Sequence, residues 1–182
     1  MNKSIGIRRG TDGTVTFDAV EVSDGDNVFW VNYDTAQPHW PGLLYHEVAA
    51  FDGIPDPATS ALVPISASTF RYICQLHEAA NESGVITVYP PLAVTALAPL
   101  TAKAGTAYSG ALTATGGKPG AAPNLYTWSI LIGDLPPGLA LSGATITGSP
   151  TTAGTYKFTI SAADQLAKSA TKAFTITVAA ST

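Results

Sequence analysis

The chemistry in this 182-residue chain is concentrated at Cys74-Gln75-Leu76-His77. A cysteine ends a strand-like run, and a histidine follows three residues later on a loop. A second histidine lies far upstream, in Ala36-Gln37-Pro38-His39-Trp40, after another strand-like run that ends at Tyr33. One thiolate and two imidazoles form the ligand set of a trigonal copper site. Soft thiolate suits Cu(I), imidazole suits both oxidation states, and a rigid frame spares the ion a rearrangement when one electron moves. Two ligands on one strand-to-strand loop come together cheaply. The distant histidine then ties a second part of the chain over the metal.

Other uses of these residues are open at this level. Cysteine is often a small buried apolar residue, and loop histidines are commonly solvated. Cys74 could act as a nucleophile with His39 or His46 as base, but no oxyanion loop or orienting partner is recognisable, and His77 would then have no role. His46, the third histidine, reads as a surface or supporting residue, or as a replacement for His39 if the loop is rearranged. Three histidines are too few for an enzyme that holds several copper ions. No phosphate loop or paired-carboxylate arrangement stands out.

The elements that must hold these residues read as strands. Residues 26–33 alternate Val28, Trp30 and Asn32 with Phe29, Val31 and Tyr33. Residues 69–74 put Phe70, Tyr72 and Cys74 on one face, and residues 84–89 form a further strand after a turn-rich stretch. Residues 44–62 are expected to hold a short helix or an irregular excursion, broken by Pro55 and Pro57. In the second half, Tyr126, Trp128, Ile130 and Ile132 alternate with polar or opposite-face neighbours. So do Tyr156, Phe158, Ile160 and Ala162, and likewise Phe174, Ile176 and Val178. Period two with turn signals between is the pattern of an antiparallel sandwich.

Composition narrows the class. Apolar residues make up 46% and charged ones only 12%, which excludes a charge-rich disordered chain or a long solvated helix. The net charge of −4 argues against nucleic-acid binding. No apolar run approaches the about 18 residues of a membrane span. The first ten residues carry Lys3, Arg8 and Arg9 without an apolar segment, so no export leader is read there. A single cysteine makes no intrachain disulfide.

The two halves differ in charge. Residues 1–91 hold four basic groups and eleven acidic ones, a balance of −7, with all three histidines and the cysteine. The acids read as a solvated surface that a basic partner could use. Residues 92–182 hold five lysines against Asp134 and Asp164, a balance of +3. Val88-Tyr89-Pro90-Pro91-Leu92 reads as a short stiff linker, because a Pro-Pro pair cannot donate to a sheet ladder. The expected domains are therefore 1–91 and 92–182.

Residues 14–91 resemble the cupredoxin family of plastocyanin, azurin and amicyanin relatives. The resemblance is carried by Val28-Phe29-Trp30-Val31-Asn32, Pro38-His39, Phe70-Arg71-Tyr72-Ile73-Cys74, Cys74-x-x-His77 and Gly84-Val85-Ile86-Thr87-Val88, in the family's order. It implies a Greek-key β-sandwich holding one copper per chain through His39, Cys74 and His77. The family usually places a methionine two residues before the glycine that opens the last strand. Here that position is Glu82, and the only methionine is Met1. Either Glu82 is the fourth ligand, or a carbonyl or water takes the axial place, or nothing does. Pro38, Trp40 and Leu76 read either as core or as an apolar collar where a redox partner docks, near His77.

Residues 92–182 resemble an immunoglobulin-like domain common in large bacterial surface and secreted proteins. The residues that carry this are Tyr126-x-Trp128-Ser129-Ile130, Leu135-Pro136-Pro137-Gly138-Leu139-x-Leu141, Ile146-Thr147-Gly148-Ser149-Pro150-Thr151-x-Ala153-Gly154-Thr155-Tyr156, Phe158-Thr159-Ile160, Asp164 and Phe174-x-Ile176-x-Val178. Pro-Pro-Gly and Gly-Ser-Pro make tight turns, and Asp164 is expected to cap a turn.

The combined expectation is all-β: a cupredoxin Greek-key β-sandwich followed by an immunoglobulin-like β-sandwich. The expected function is one-electron transfer by a mononuclear copper protein that is not an enzyme. The alternative is a non-catalytic extracellular binding or surface module whose metal site stores metal or is empty. Both resemblances imply a periplasmic or extracellular location.

Overall fold

The computed structural model describes residues 1–38, 41–43, 63–64, 70–74, 83–123 and 125–181, with 41–43, 63–64 and 70–74 described by their backbone. The described residues form sixteen strands and no helix. None of them therefore makes a helix long and apolar enough to cross a membrane. The chain divides into two compact units, Met1–Pro90 and Pro91–Thr182, with the break inside the Pro-Pro pair.

The first unit contains β1 (Asn2–Arg9), β2 (Val15–Phe17), β3 (Val20–Ser23), β4 (Asn27–Asn32), β5 (Pro41–Leu43), β6 (Val63–Pro64), β7 (Phe70–Cys74) and β8 (Ser83–Tyr89). They make two four-stranded sheets, ordered β2-β1-β4-β6 and β3-β8-β7-β5. Each sheet contains a parallel pair, β1 with β4 and β3 with β8. The alternation read in residues 26–33 is real: Val28, Trp30 and Asn32 are buried, while Phe29 and Val31 are half-buried. The core gathers Ile5, Ile7, Val15, Val20, Val22, Val28, Trp30, Ile86 and Val88 from both sheets, so the sheets share one apolar layer. Each fully buried aliphatic side chain there contributes about 1.5–3 kcal/mol. The turn between β1 and β2 is closed by Asp12, which accepts from the Thr14 hydroxyl at 2.6 Å and the Thr14 amide at 3.0 Å. These two bonds hold its carboxyl below the ordinary value. Residues 44–62, where a helix or excursion was expected, lie outside the described residues.

The second unit contains β9 (Ala93–Ala98), β10 (Thr101–Lys103), β11 (Tyr108–Thr115), β12 (Thr127–Gly133), β13 (Leu139–Ser142), β14 (Thr145–Gly148), β15 (Gly154–Ala163) and β16 (Ser169–Ala179). Its sheets run β10-β16-β15-β12 and β13-β14-β11-β9. Val94, Leu97, Tyr108, Leu112, Ile146, Phe158, Ile160, Ala162, Phe174, Ile176 and Val178 fill the space between them. The period-two faces of β15 and β16 are buried as the sequence suggests. In β12 the pattern fails. Tyr126 and Trp128 pack against the core, but Ile130 and Ile132 are exposed. The reason is that β12 is an edge strand and its register slips against β15 between those two isoleucines.

Asp164 does close a turn. Its Oδ1 accepts from the Leu166 and Lys168 amides, and its Oδ2 accepts from the Lys118 amide, which fastens the Gly116–Gly120 loop to that turn. Gly117 adopts φ +62° there, and any Cβ would strike the Asp164 carboxylate.

Candidate metal centre

Strand register decides which loops meet. β5 and β7 are antiparallel, with Pro41 opposite Cys74, Gly42 opposite Ile73 and Leu43 opposite Tyr72. β7 and β8 are antiparallel, with Ile73 opposite Ser83. The start of β5, the end of β7 and the start of β8 therefore lie at one end of this sheet. Cys74 is the last residue of β7, at that end. His39, His46, His77 and Glu82 lie outside the described residues. Among the described residues, no three His, Cys, Asp or Glu side chains gather as a metal would need.

The crossover that leaves β4 towards β5 is ordered by side chains that the sequence reading did not single out. Asn32, at the end of β4, and Asp34 are each 1% exposed. Asn32 Oδ1 accepts from the Asp34 amide at 2.9 Å, and its Nδ2 donates to the Gln37 carbonyl at 3.1 Å. Asp34 Oδ1 accepts from the Ala36 amide at 2.9 Å. Arg9 grips the same carboxylate: Nε lies 3.0 and 3.1 Å from its two oxygens, and Nη2 lies 2.8 Å from Oδ2. Arg9 Nη1 also donates to the Gly13 carbonyl. The parallel register explains the pairing. Ile7 opposes Asn32, so Arg9, at the end of β1, and Asp34, two residues past the end of β4, come level. The available signal in the sequence was Asn32 itself, a polar residue on the inward face of β4 after Val28 and Trp30.

Next to this network, Arg8 lies 4.4 Å from the centre of the Tyr33 ring and 3.5 Å from Asp18. Both are exposed contacts and worth little.

Comparison with known proteins bears on both units. Residues 90–179 match the model of the family described as Putative Ig domain, so the second unit carries an immunoglobulin-like domain. No curated protein matches the chain. Solved structures similar to it include an oxidised plastocyanin from Dryopteris crassirhizoma, 20% identical, covering 47% of this chain and 99% of that one, with a TM-score of 0.38. A pseudoazurin from Methylobacterium extorquens is 17% identical and covers 48% of this chain and 75% of that one, with a TM-score of 0.35. A C-terminal fragment of intimin, solved with the intimin-binding domain of its translocated receptor, is 14% identical. It covers 78% of this chain and 52% of that one, with a TM-score of 0.48.

Proposed function

With an all-β chain whose second half is immunoglobulin-like as the premise, we propose that residues 1–91 are a copper domain of the cupredoxin type that passes single electrons. In this reading His39, Cys74 and His77 would hold one copper, with Glu82 as the candidate fourth donor.

The observation that carries the reading is the register of Cys74. It stands opposite Pro41 at the sheet end where β8 also begins. Covalent connection limits how far the other ligands can stray. His39 is two residues from Pro41, His77 three from Cys74, and Glu82 is bonded to Ser83, with consecutive Cα atoms about 3.8 Å apart. Cys74 stands at that end of the sheet, and each of the other three candidate donors is within three residues of a strand end there. The donor set fits copper by its chemistry: one soft thiolate, two imidazoles and one carboxylate.

Copper bound there supplies a one-electron couple. The chain's part is to fix the ligands so that little moves when the charge changes. Cys74 is fixed by a strand paired on both sides, with β5 and β8. The segment leading to His39 is fixed as far as Gln37 by Asn32 and Asp34. The expected partner is a redox protein that docks near His77, and the expected location is periplasmic or extracellular. The immunoglobulin-like unit would serve as a spacer or adhesion module.

The test is to add Cu(II) to freshly reduced full-length protein. One equivalent should bind per chain, with an intense thiolate-to-copper absorption that Cys74→Ser abolishes. The couple should cycle reversibly. No such band in the parent protein overturns the electron-transfer reading. A band without reversible cycling would point instead to a metal-storing surface module.

A further inference from the structure

The Arg9–Asp34–Asn32 network is an unusual use of polar groups. Two side chains, each 1% exposed, sit at the rim of an apolar core. A buried carboxylate that loses its partner is strongly destabilising. Replacing such a pair by well-packed apolar residues is often neutral or stabilising, so the pair is poor evidence of stability for its own sake. What it does supply is geometry. Asn32 and Asp34 each bond the amide two residues ahead, making two successive turns of the backbone. Asn32 then reaches the Gln37 carbonyl and closes the crossover from its far side. The planar guanidinium of Arg9 holds the Asp34 carboxylate by a fork of hydrogen bonds, which fixes orientation as well as charge.

The bonds named above run within residues 32–37 or to β1 and its turn, and His39 follows Gln37 by two residues. The network therefore fixes where the chain departs towards the first imidazole ligand.

We propose that Asp34, held by Arg9 and backed by Asn32, is a positioning residue for His39: it orders the crossover in the metal-free protein. This rests on the reading of His39 as a copper ligand. The ordering cost of the segment is then met on folding rather than on metal binding. Outer groups that orient a metal ligand typically change metal affinity by about 10- to 100-fold when removed. The same scale is expected here.

Asp34→Asn keeps the volume but turns an amide donor towards the donors of Arg9. Arg9→Lys keeps the charge but removes the fork, and serves as the second variant if Asp34→Asn folds poorly. Val22→Ala, in the core of the same unit, is the control for lost stability alone. Three quantities are read in the full chain: the Cu(II) dissociation constant, the position of the thiolate-to-copper band, and, without metal, the hydrogen-exchange rate of the Ala36 amide.

Asp34→Asn should weaken Cu(II) binding by about 10- to 100-fold, move the band and accelerate exchange at Ala36. Arg9→Lys should do the same to a smaller extent. Val22→Ala should lower the melting temperature and leave affinity and band in place. If Asp34→Asn and Arg9→Lys keep the parent's affinity and band, or if Val22→Ala weakens binding as much as they do, the positioning role is wrong while the copper site stands. If the parent itself gives no band, the copper reading falls and takes this role with it.

Discussion

Replacing Gly148 by alanine should unfold the immunoglobulin-like unit at a much lower temperature than replacing Gly105 by alanine, although both glycines have positive φ. Gly148 ends β14 at φ +137° and is paired on both sides, with Tyr108 of β11 and Leu139 of β13. A Cβ there would collide with the carbonyl oxygen of Gly138 and lie 3.1 Å from its carbon and 3.2 Å from the Leu139 Cα. All three atoms are backbone, and the Gly138 oxygen already accepts from the Ser149 amide. No side chain can swing aside, so the two strands must separate. Backbone strain at such a φ costs about 1–3 kcal/mol. One or two lost hydrogen bonds cost about 1 kcal/mol each. The sum, about 2–5 kcal/mol, is a large part of the roughly 5–15 kcal/mol that holds a domain together. At about 4–8 °C per kcal/mol for a domain of this size, the melting temperature should fall by at least about 8 °C. At Gly105, φ is +76° and a Cβ would meet nothing within 4 Å. Only the left-handed penalty of about 1–2 kcal/mol remains. Calorimetry of the full chain should show the second unit's transition displaced in both variants, far more in Gly148→Ala. Equal shifts, or a loss under about 5 °C for Gly148→Ala, would refute the steric reasoning.

Two further outcomes follow from single side chains. Tyr108 is buried, donates its hydroxyl to the Pro99 carbonyl, and has its pKa raised by that burial. The folded form holds the proton more tightly than the unfolded chain. Its contribution is therefore complete below the unfolded pKa near 10 and is lost as pH rises through the higher folded value. Thermal melts of the second unit at pH 8 and pH 11 should show a larger loss in the parent than in Tyr108→Phe; equal losses would show that Tyr108 is not the titrating group. If Glu82 supplies a carboxylate to the proposed copper, it would favour Cu(II) and weaken the copper–thiolate bond. Glu82→Met and Glu82→Gln should both raise the reduction potential and move the absorption towards blue. Two variants with the parent's potential and spectrum would remove Glu82 from the ligand set.

Much of this protein is legible in one dimension because strand alternation, turn residues and breakers are local properties. Val28, Trp30 and Asn32 face inward because a pleated strand alternates. Pro90-Pro91 divides the chain because proline cannot extend a ladder. Gly138 and Gly148 stand where their carbonyl-to-Cα approach leaves no room for a side chain, and their spacing within a Pro-Pro-Gly and a Gly-Ser-Pro turn already marks the hairpin. The residue types proposed as donors and their order, His39 then Cys74 and His77, are also plain in the sequence, as is the glutamate at position 82.

Pairing across the chain is a different matter, because the partner of a strand is chosen by which faces can be buried together. β1 runs parallel to β4 and β3 runs parallel to β8, which no short turn could announce. The register that sets Cys74 opposite Pro41 joins residues more than thirty apart. Arg9 meets Asp34 only because that parallel register brings two strand ends level, so an arginine and an aspartate that look like surface charges become a clamp on the segment before His39. Ile130 and Ile132 alternate like core residues, yet stand in solvent because their strand is last in its sheet and slips there. Sequence periodicity states which residues share a face of a strand; the neighbours that the whole fold supplies decide whether that face is covered.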